Sequence, residues 1–259
     1  MAATTTVGTG KYTYEVDEDW AKLPEGWEMP AAAVYGDSKD RVYCFNRDPE
    51  HPVCIFDREG NFLRTWGEDL FTRAHGIHVG PDDALYCTDD GDHTVRKCTT
   101  DGKVLLEIGI PGTPAPFMSG EPFHRCTHTA LSPDGHLFVS DGYGNARVHK
   151  YTSHGELIKS WGEWGTGPGQ FELSHCVRVD RFDRVWVCDR TNDRIQIFDT
   201  EGQFLEERTG LAKPDTIFFD RNEDIVYIAE LDQQVSIYTL GGALITQWGG
   251  KRKSEQAGE

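Results

Sequence analysis

The side chains most able to do chemistry in this 259-residue chain are seven cysteines and ten histidines. The cysteines are Cys44, Cys54, Cys87, Cys98, Cys126, Cys176 and Cys188. Their number is odd and no pair has CxxC spacing, so neither a disulfide framework nor a zinc knuckle is indicated. Several sit inside apolar strand-like runs, where a free thiol packs as a small hydrophobe. For any single histidine the default is a hydrogen-bonded core or channel residue. His78, His136, His149 and His154 fall on strand or turn positions and are expected to be structural or solvated. Asp89, Asp141 and Asp189 recur at one point of a repeating pattern. That recurrence points to the capping of turn amides rather than to catalysis.

Composition narrows the field further. The chain is 37% hydrophobic and 11% aromatic, as a packed globular protein requires. Its net charge of −17 repels phosphate backbones, so no nucleic-acid partner is expected. No run approaches the roughly 20 apolar residues of a membrane helix, and no membrane association is expected. Met1 to Gly10 lacks the basic segment and apolar core of a signal peptide, so the expected location is cytoplasmic.

The elements that must position any site come from internal repeats. Five segments align on an aromatic anchor: Tyr43, Tyr86, Phe138, Trp186 and Tyr227. The steps between anchors are 43, 52, 48 and 41 residues, the length of a four-stranded propeller blade. Each unit repeats one grammar. A short apolar strand is followed by a polar turn, the anchor strand, a tight turn holding Asp or Asn, a third strand, a glycine turn and a fourth strand. The fourth strand ends in Trp66-Gly67, Trp161-Gly162 or Trp248-Gly249, with Ile108-Gly109 as a variant. Alternation of apolar and polar residues argues for strands, and one sheet per repeat buries its faces only by stacking on its neighbours. The expected fold is therefore an all-β propeller of four-stranded blades, with five repeats visible. Residues 1–29 form an N-terminal arm with a closing strand. The propeller covers 30–250, with repeats at about 30–73, 74–125, 126–173, 174–211 and 212–250, and a tail occupies 251–259.

The stretches Ser140–Val148 and Asp189–Phe198 resemble NHL repeats. More specifically, the chain resembles bacterial relatives of peptidyl-α-hydroxyglycine α-amidating lyase. The likeness runs from about Tyr12 to the C-terminus and includes Pro24–Trp27, Cys44–Arg47, Glu50–Asn61 and Phe71–Ile77. The resemblance implies a six-bladed ring, with the last blade apparently missing here, and a metal on its axis. It implies zinc or another divalent transition metal, held by histidines that open the inner strands of alternate blades, and a structural calcium as a second ion. Neutral imidazoles suit such a metal, and an open coordination position polarises a substrate oxygen. His75 and His175 fall on two of the ligand positions.

The third ligand belongs to a sixth repeat that the sequence does not contain, and the residues 254–259 look like a linker cut before its inner strand. Three explanations stand open: truncation, closure of a five-bladed ring, or replacement by another histidine. His128 is the candidate for replacement. It follows the ligand-equivalent Thr127 by one position, and strand alternation would turn it toward a blade interface instead. His124 could approach from the loop. By the same resemblance Tyr143 reaches the axis as a metal-side group or general base, and Arg47 and Arg190 point into the channel to clamp a carboxylate or oxyanion. For Arg190 the competing role is an ion pair with Asp189 or Asp193. The insert 109–123 is the expected lid or rim.

The resulting expectation is a metal-dependent lyase that cleaves a C–N bond of a carbinolamide-like small-molecule or peptide substrate. The alternatives are a non-catalytic NHL propeller that binds a peptide or protein, and a metal-dependent small-molecule hydrolase. An unpaired blade edge would invite a homodimer.

Overall fold

The computed structural model describes residues 5–220 and 222–249. The expected tail, 251–259, and the first four residues of the arm lie outside the described residues. Five four-stranded antiparallel sheets follow one another along the chain. Blade 1 follows a two-stranded hairpin of β1 (Thr5–Thr9) and β2 (Tyr12–Val16), and consists of β3 (Ala31–Gly36), β4 (Val42–Asn46), β5 (Val53–Phe56) and β6 (Phe62–Trp66). Blade 2 consists of β7 (Ala74–Val79), β8 (Leu85–Asp89), β9 (Thr94–Cys98) and β10 (Val104–Ile108). Blade 3 consists of β11 (His128–Leu131), β12 (Leu137–Asp141), β13 (Arg147–Tyr151) and β14 (Leu157–Trp161). Blade 4 consists of β15 (Ser174–Val179), β16 (Val185–Asp189), β17 (Arg194–Phe198) and β18 (Phe204–Arg208). Blade 5 consists of β19 (Pro214–Asp220), β20 (Ile225–Glu230), β21 (Gln234–Thr239) and β22 (Leu244–Gly249). The five-bladed, all-β reading of the sequence is what the chain forms.

Packing between the blades explains the repeat grammar. The anchors Tyr43, Tyr86, Phe138 and Trp186 are buried in successive interfaces. In blades 1 and 4 the polar tip of the anchor is also satisfied: Tyr43 donates to Asp37 and Trp186 to Asp180, each an acceptor in the turn before the anchor strand. The Trp-Gly endings pack outward. Trp66 lies on Gly102 of the next blade and Trp161 on Gly202, both glycines at positive φ, where an added Cβ would stand 2.8 and 2.7 Å from the indole. A glycine turn on one blade and a tryptophan on its predecessor are thus two halves of one contact. All seven cysteines are free and buried, as the strand pattern requires.

Inner strands pack in sequence, β3 on β7, β7 on β11, β11 on β15 and β15 on β19. No comparable packing joins β19 back to β3 among the described residues. Val34 on β3 and Phe218 on β19 are accordingly 60% and 54% exposed. The arm covers the outer parts of this open sector. Its hairpin sits on blade 5, where Tyr14 bonds Tyr227, its ring lies 5.5 Å from that of Trp248, and Thr9 bonds Thr246. Trp20, Leu23, Trp27 and Met29 pack on Cys44, Cys54 and Phe56 of blade 1. The strand around Tyr12 to Val16 pairs with β1, which gives its backbone a partner within the arm.

Candidate active site at the centre of the blades

One backbone device positions the site. The pairing of inner strand and second strand slips by one residue at Ala31/Ala33, Ala74/Gly76, Ser174/Cys176 and Pro214/Thr216. A bulge leaves one residue out of the ladder and re-aims its side chain. The residues at these four bulges are Ala32, His75, His175 and Asp215. Blade 3 has Thr127 at the matching point, just before β11 begins at His128.

The two histidines meet. Their ring centroids are 5.0 Å apart, and both are buried. Nδ1 of His75 is 2.8 Å from the carbonyl of Thr127, and Nδ1 of His175 is 2.9 Å from the carbonyl of Asp215. A carbonyl only accepts, so each Nδ1 carries the proton and each Nε2 presents a lone pair. Both Nε2 atoms face the hydroxyl of Tyr143, at 3.1 and 3.3 Å. The hydroxyl owns one proton and can donate it to one imidazole only. Three electron-pair donors therefore share a single proton. Burial, followed by the neighbouring His175, pushes the pKa of His75 down to about 4. Burial also lowers that of His175. Both rings are neutral at pH 7, the form that binds metal.

The surroundings are cationic. The guanidinium of Arg125 lies 4.5 Å from the ring centre of Tyr143, and that of Arg190 lies 5.7 Å from it. Both arginines are paired with carboxylates: Arg125 bonds Asp90 at 2.6 Å and Arg190 bonds Asp215 at 3.0 Å. Arg73 shares Asp90. Arg47 is exposed and reaches the carbonyl of Ala74, next to His75, at 3.4 Å. The loop from 109 to 123 docks beside Tyr143, where Met118 donates to the carbonyl of Gly144 and Gly120 to the side chain of Asn145.

The sequence-derived candidates divide. His75, His175 and Tyr143 converge, with Arg190 beside Tyr143 and Arg47 near His75. Arg190 pairs with Asp215 and not with Asp189 or Asp193, because Asp189 is already occupied by Arg194, Asn192 and the amide of Glu172. His128 is not brought to Tyr143. Its ring lies against Gly76 of blade 2, where a Cβ would stand 3.1 Å from it. Strand alternation from Thr127 turns it there. Among the described residues no three His, Cys, Asp or Glu side chains converge as a metal-binding group. Two imidazoles with pinned Nδ1 atoms and the oxygen of Tyr143 fit a metal; a third imidazole is not supplied. His124 bonds the carbonyl of Ala115 and holds the insert. Asp89, Asp141 and Asp189 accept amides of the segments entering their blades, as their recurrence indicates. Arg125, Asp90 and Asp215 were not singled out by sequence. Asp215 alone had a signal, its alignment with His75 and His175.

The fold and the repeats define the class: the chain is an NHL-repeat β-propeller. It resembles peptidyl-α-hydroxyglycine α-amidating lyases and their relatives. It is 32% identical over 209 residues to NHL repeat-containing protein 3 of Homo sapiens, which covers 76% of this chain and 60% of that protein. It is 35% identical over 151 residues to peptidyl-alpha-hydroxyglycine alpha-amidating lyase 1 of Drosophila melanogaster, 54% of this chain and 27% of that protein. The chain thus spans about three fifths or less of these relatives' lengths. No protein-family profile matches it. Among solved structures, a streptogramin B lyase superposes with a TM-score of 0.64 at 14% identity, over 88% of this chain and 72% of that one. A chain of a nidogen/laminin complex gives 0.66 at 14% identity, over 85% and 80%. At such identities these structures share the fold alone. No helix is long and apolar enough to cross a membrane among the described residues.

Proposed function

We propose that this propeller is a metal-dependent lyase acting on a carbinolamide, with His75 and His175 as metal ligands. The observation that carries the reading is the meeting of two neutral Nε2 atoms and one phenol oxygen around a single proton. A divalent transition metal bound there would polarise the substrate hydroxyl.

The chain's own residues account for the rest. For R–CO–NH–CH(OH)–COO⁻ the products are R–CO–NH₂ and glyoxylate. The O–H and C–N bonds break, and a C=O and an N–H bond form. Tyr143 relays the proton: it gives its hydroxyl proton to the departing nitrogen and takes the substrate's hydroxyl proton, so its own protonation is restored. Arg190 and Arg47 stand where a carboxylate would be held, with Arg125 completing the cationic surround.

The test is turnover of a peptide ending in α-hydroxyglycine, read as glyoxylate and peptide amide. Turnover that disappears on chelation and in His75→Ala and His175→Ala supports the reading. Protein purified without chelator that contains no transition metal, and is unaffected by either substitution, overturns it. A second reading, a non-catalytic peptide-binding propeller, is favoured by the incomplete histidine set. It predicts peptide binding with no turnover.

A further inference from the structure

One blade interface departs from the repeat. Strand register places Arg208, opposite Ile195, where the other outer strands carry Trp66 opposite Val53, Trp161 opposite Val148 and Trp248 opposite Val235. Trp66 and Trp161 lie on Gly102 and Gly202 of the following blades, and Ile108 lies on Gly155. Arg208 lies on the matching glycine of blade 5, where a Cβ on Gly242 would stand 3.2 Å from its Nε. A guanidinium chain covers the glycine but lacks the breadth of an indole, and the interface is left unfilled. A cavity of about 230 Å³ opens between blades 4 and 5.

Its walls suit an aromatic ring. Trp186, Leu211, Val226, Ile228 and Tyr238 line it, with Arg208 as the cationic member. An apolar cavity of roughly 150 Å³ takes up benzene, so this one has room for two fused rings. Arg208 is 22% exposed, and its charge is already paired: Nη1 and Nη2 hold the two oxygens of Glu206 at 2.8 and 3.0 Å. Nη2 also reaches the carbonyl of Leu240 at 3.4 Å. The Nε is different. It is closed to solvent, has no acceptor, and is the arginine atom nearest Gly242, which lines the same cavity. A buried donor left unmatched carries a desolvation cost that an incoming acceptor removes. A paired charge beside a free donor calls for a neutral acceptor rather than an anion.

We propose that the cavity between blades 4 and 5 binds a neutral bicyclic heteroaromatic molecule. Its rings fill the space that an indole takes in the other interfaces, and an acceptor at its edge receives the N–H of Arg208 Nε. The site lies away from the inner strands that carry His75 and His175, and it does not depend on the lyase reading.

Calorimetric titration of the full chain tests it, with quinoline, which carries a ring acceptor, and indole, which does not. Quinoline should bind with a Kd below about 1 mM. Indole should bind about fivefold more weakly, the difference being one hydrogen bond. Arg208→Trp supplies the indole that blades 1 and 3 use and should abolish binding of both rings. Arg208→Met removes the donor, and the two rings should then bind alike. A crystal of the full chain soaked in quinoline should show the ring in the cavity. No quinoline binding to wild type, binding that survives Arg208→Trp, or a preference for quinoline that survives Arg208→Met overturns the proposal. If Arg208→Trp does not fold, Arg208→Met and the soaked crystal decide, and a crystal with the cavity free of quinoline overturns the proposal.

Discussion

His75 and His175 lie 100 residues and two blades apart in the chain, yet their ring centres are 5.0 Å from each other. Two bulges aim them inward, two carbonyls orient them, and one phenol joins them. Their joint geometry makes them a unit, and changes to either should be felt by both.

Metal content should report this unit directly. His75→Ala or His175→Ala leaves one imidazole, and each should lose most of the bound transition metal. The check is elemental analysis of protein purified without chelator. Retention of metal by both variants would show that the histidines hold something else.

Tyr143→Phe removes the shared hydroxyl but keeps the ring between Arg125 and Arg190. Turnover of the α-hydroxyglycine peptide should fall by about 10²–10⁴ in kcat, with KM little changed. A loss confined to KM would make Tyr143 a binding group only.

The pH dependence of stability follows from the depressed histidines. Unfolded, His75 has its ordinary pKa near 6.5; folded, it is pushed down to about 4. Between these values the unfolded chain binds more protons, so the stability present above pH 6.5 is lost as the pH falls toward 4. The loss from His75 is at most about 3 kcal/mol. His175 shifts in the same direction. Urea denaturation of metal-free protein between pH 7 and 5 should show the decline, and His75→Gln should flatten it.

Asp189 accepts from Arg194, Asn192 and the amide of Glu172, and its side chain is fully buried. Asp189→Asn leaves the Arg194 charge without its closest partner, although Glu207 still reaches it at 3.0 Å. The expected cost is about 3 kcal/mol, read from denaturant unfolding. A cost below about 1 kcal/mol would mean that Glu207 compensates.

The blades were legible because their signals repeat. Tyr43, Tyr86, Phe138, Trp186 and Tyr227 mark equivalent positions, and the glycine turns at Gly102 and Gly202 each answer a tryptophan one blade earlier. His75 and His175 were legible for the same reason, since they occupy one slot in two units. Arg125 and Asp90 do not repeat. Asp90 meets Arg125, and through it the ring of Tyr143, only because blades 2 and 3 are neighbours, a relation between strands that no linear period encodes. His128 shows the limit from the other side: one residue of offset on a strand moves a side chain from the centre to the interface. The arm's two strands pair with each other, and its division between blade 5 and blade 1 rests on contacts between distant parts of the chain.

That division has a further consequence. Trp20 lies over Gly60 as Trp66 lies over Gly102, so the arm offers blade 1 the indole that a preceding blade would supply. The hairpin meanwhile grips blade 5. Asp17, Glu18 and Asp19 are the only residues between the two grips. This short tether gives the two ends of the blade series a high effective concentration for each other. A single cut there would turn an association independent of protein concentration into one set by dilution, and the first and fifth blades would then be held in place only through the other three.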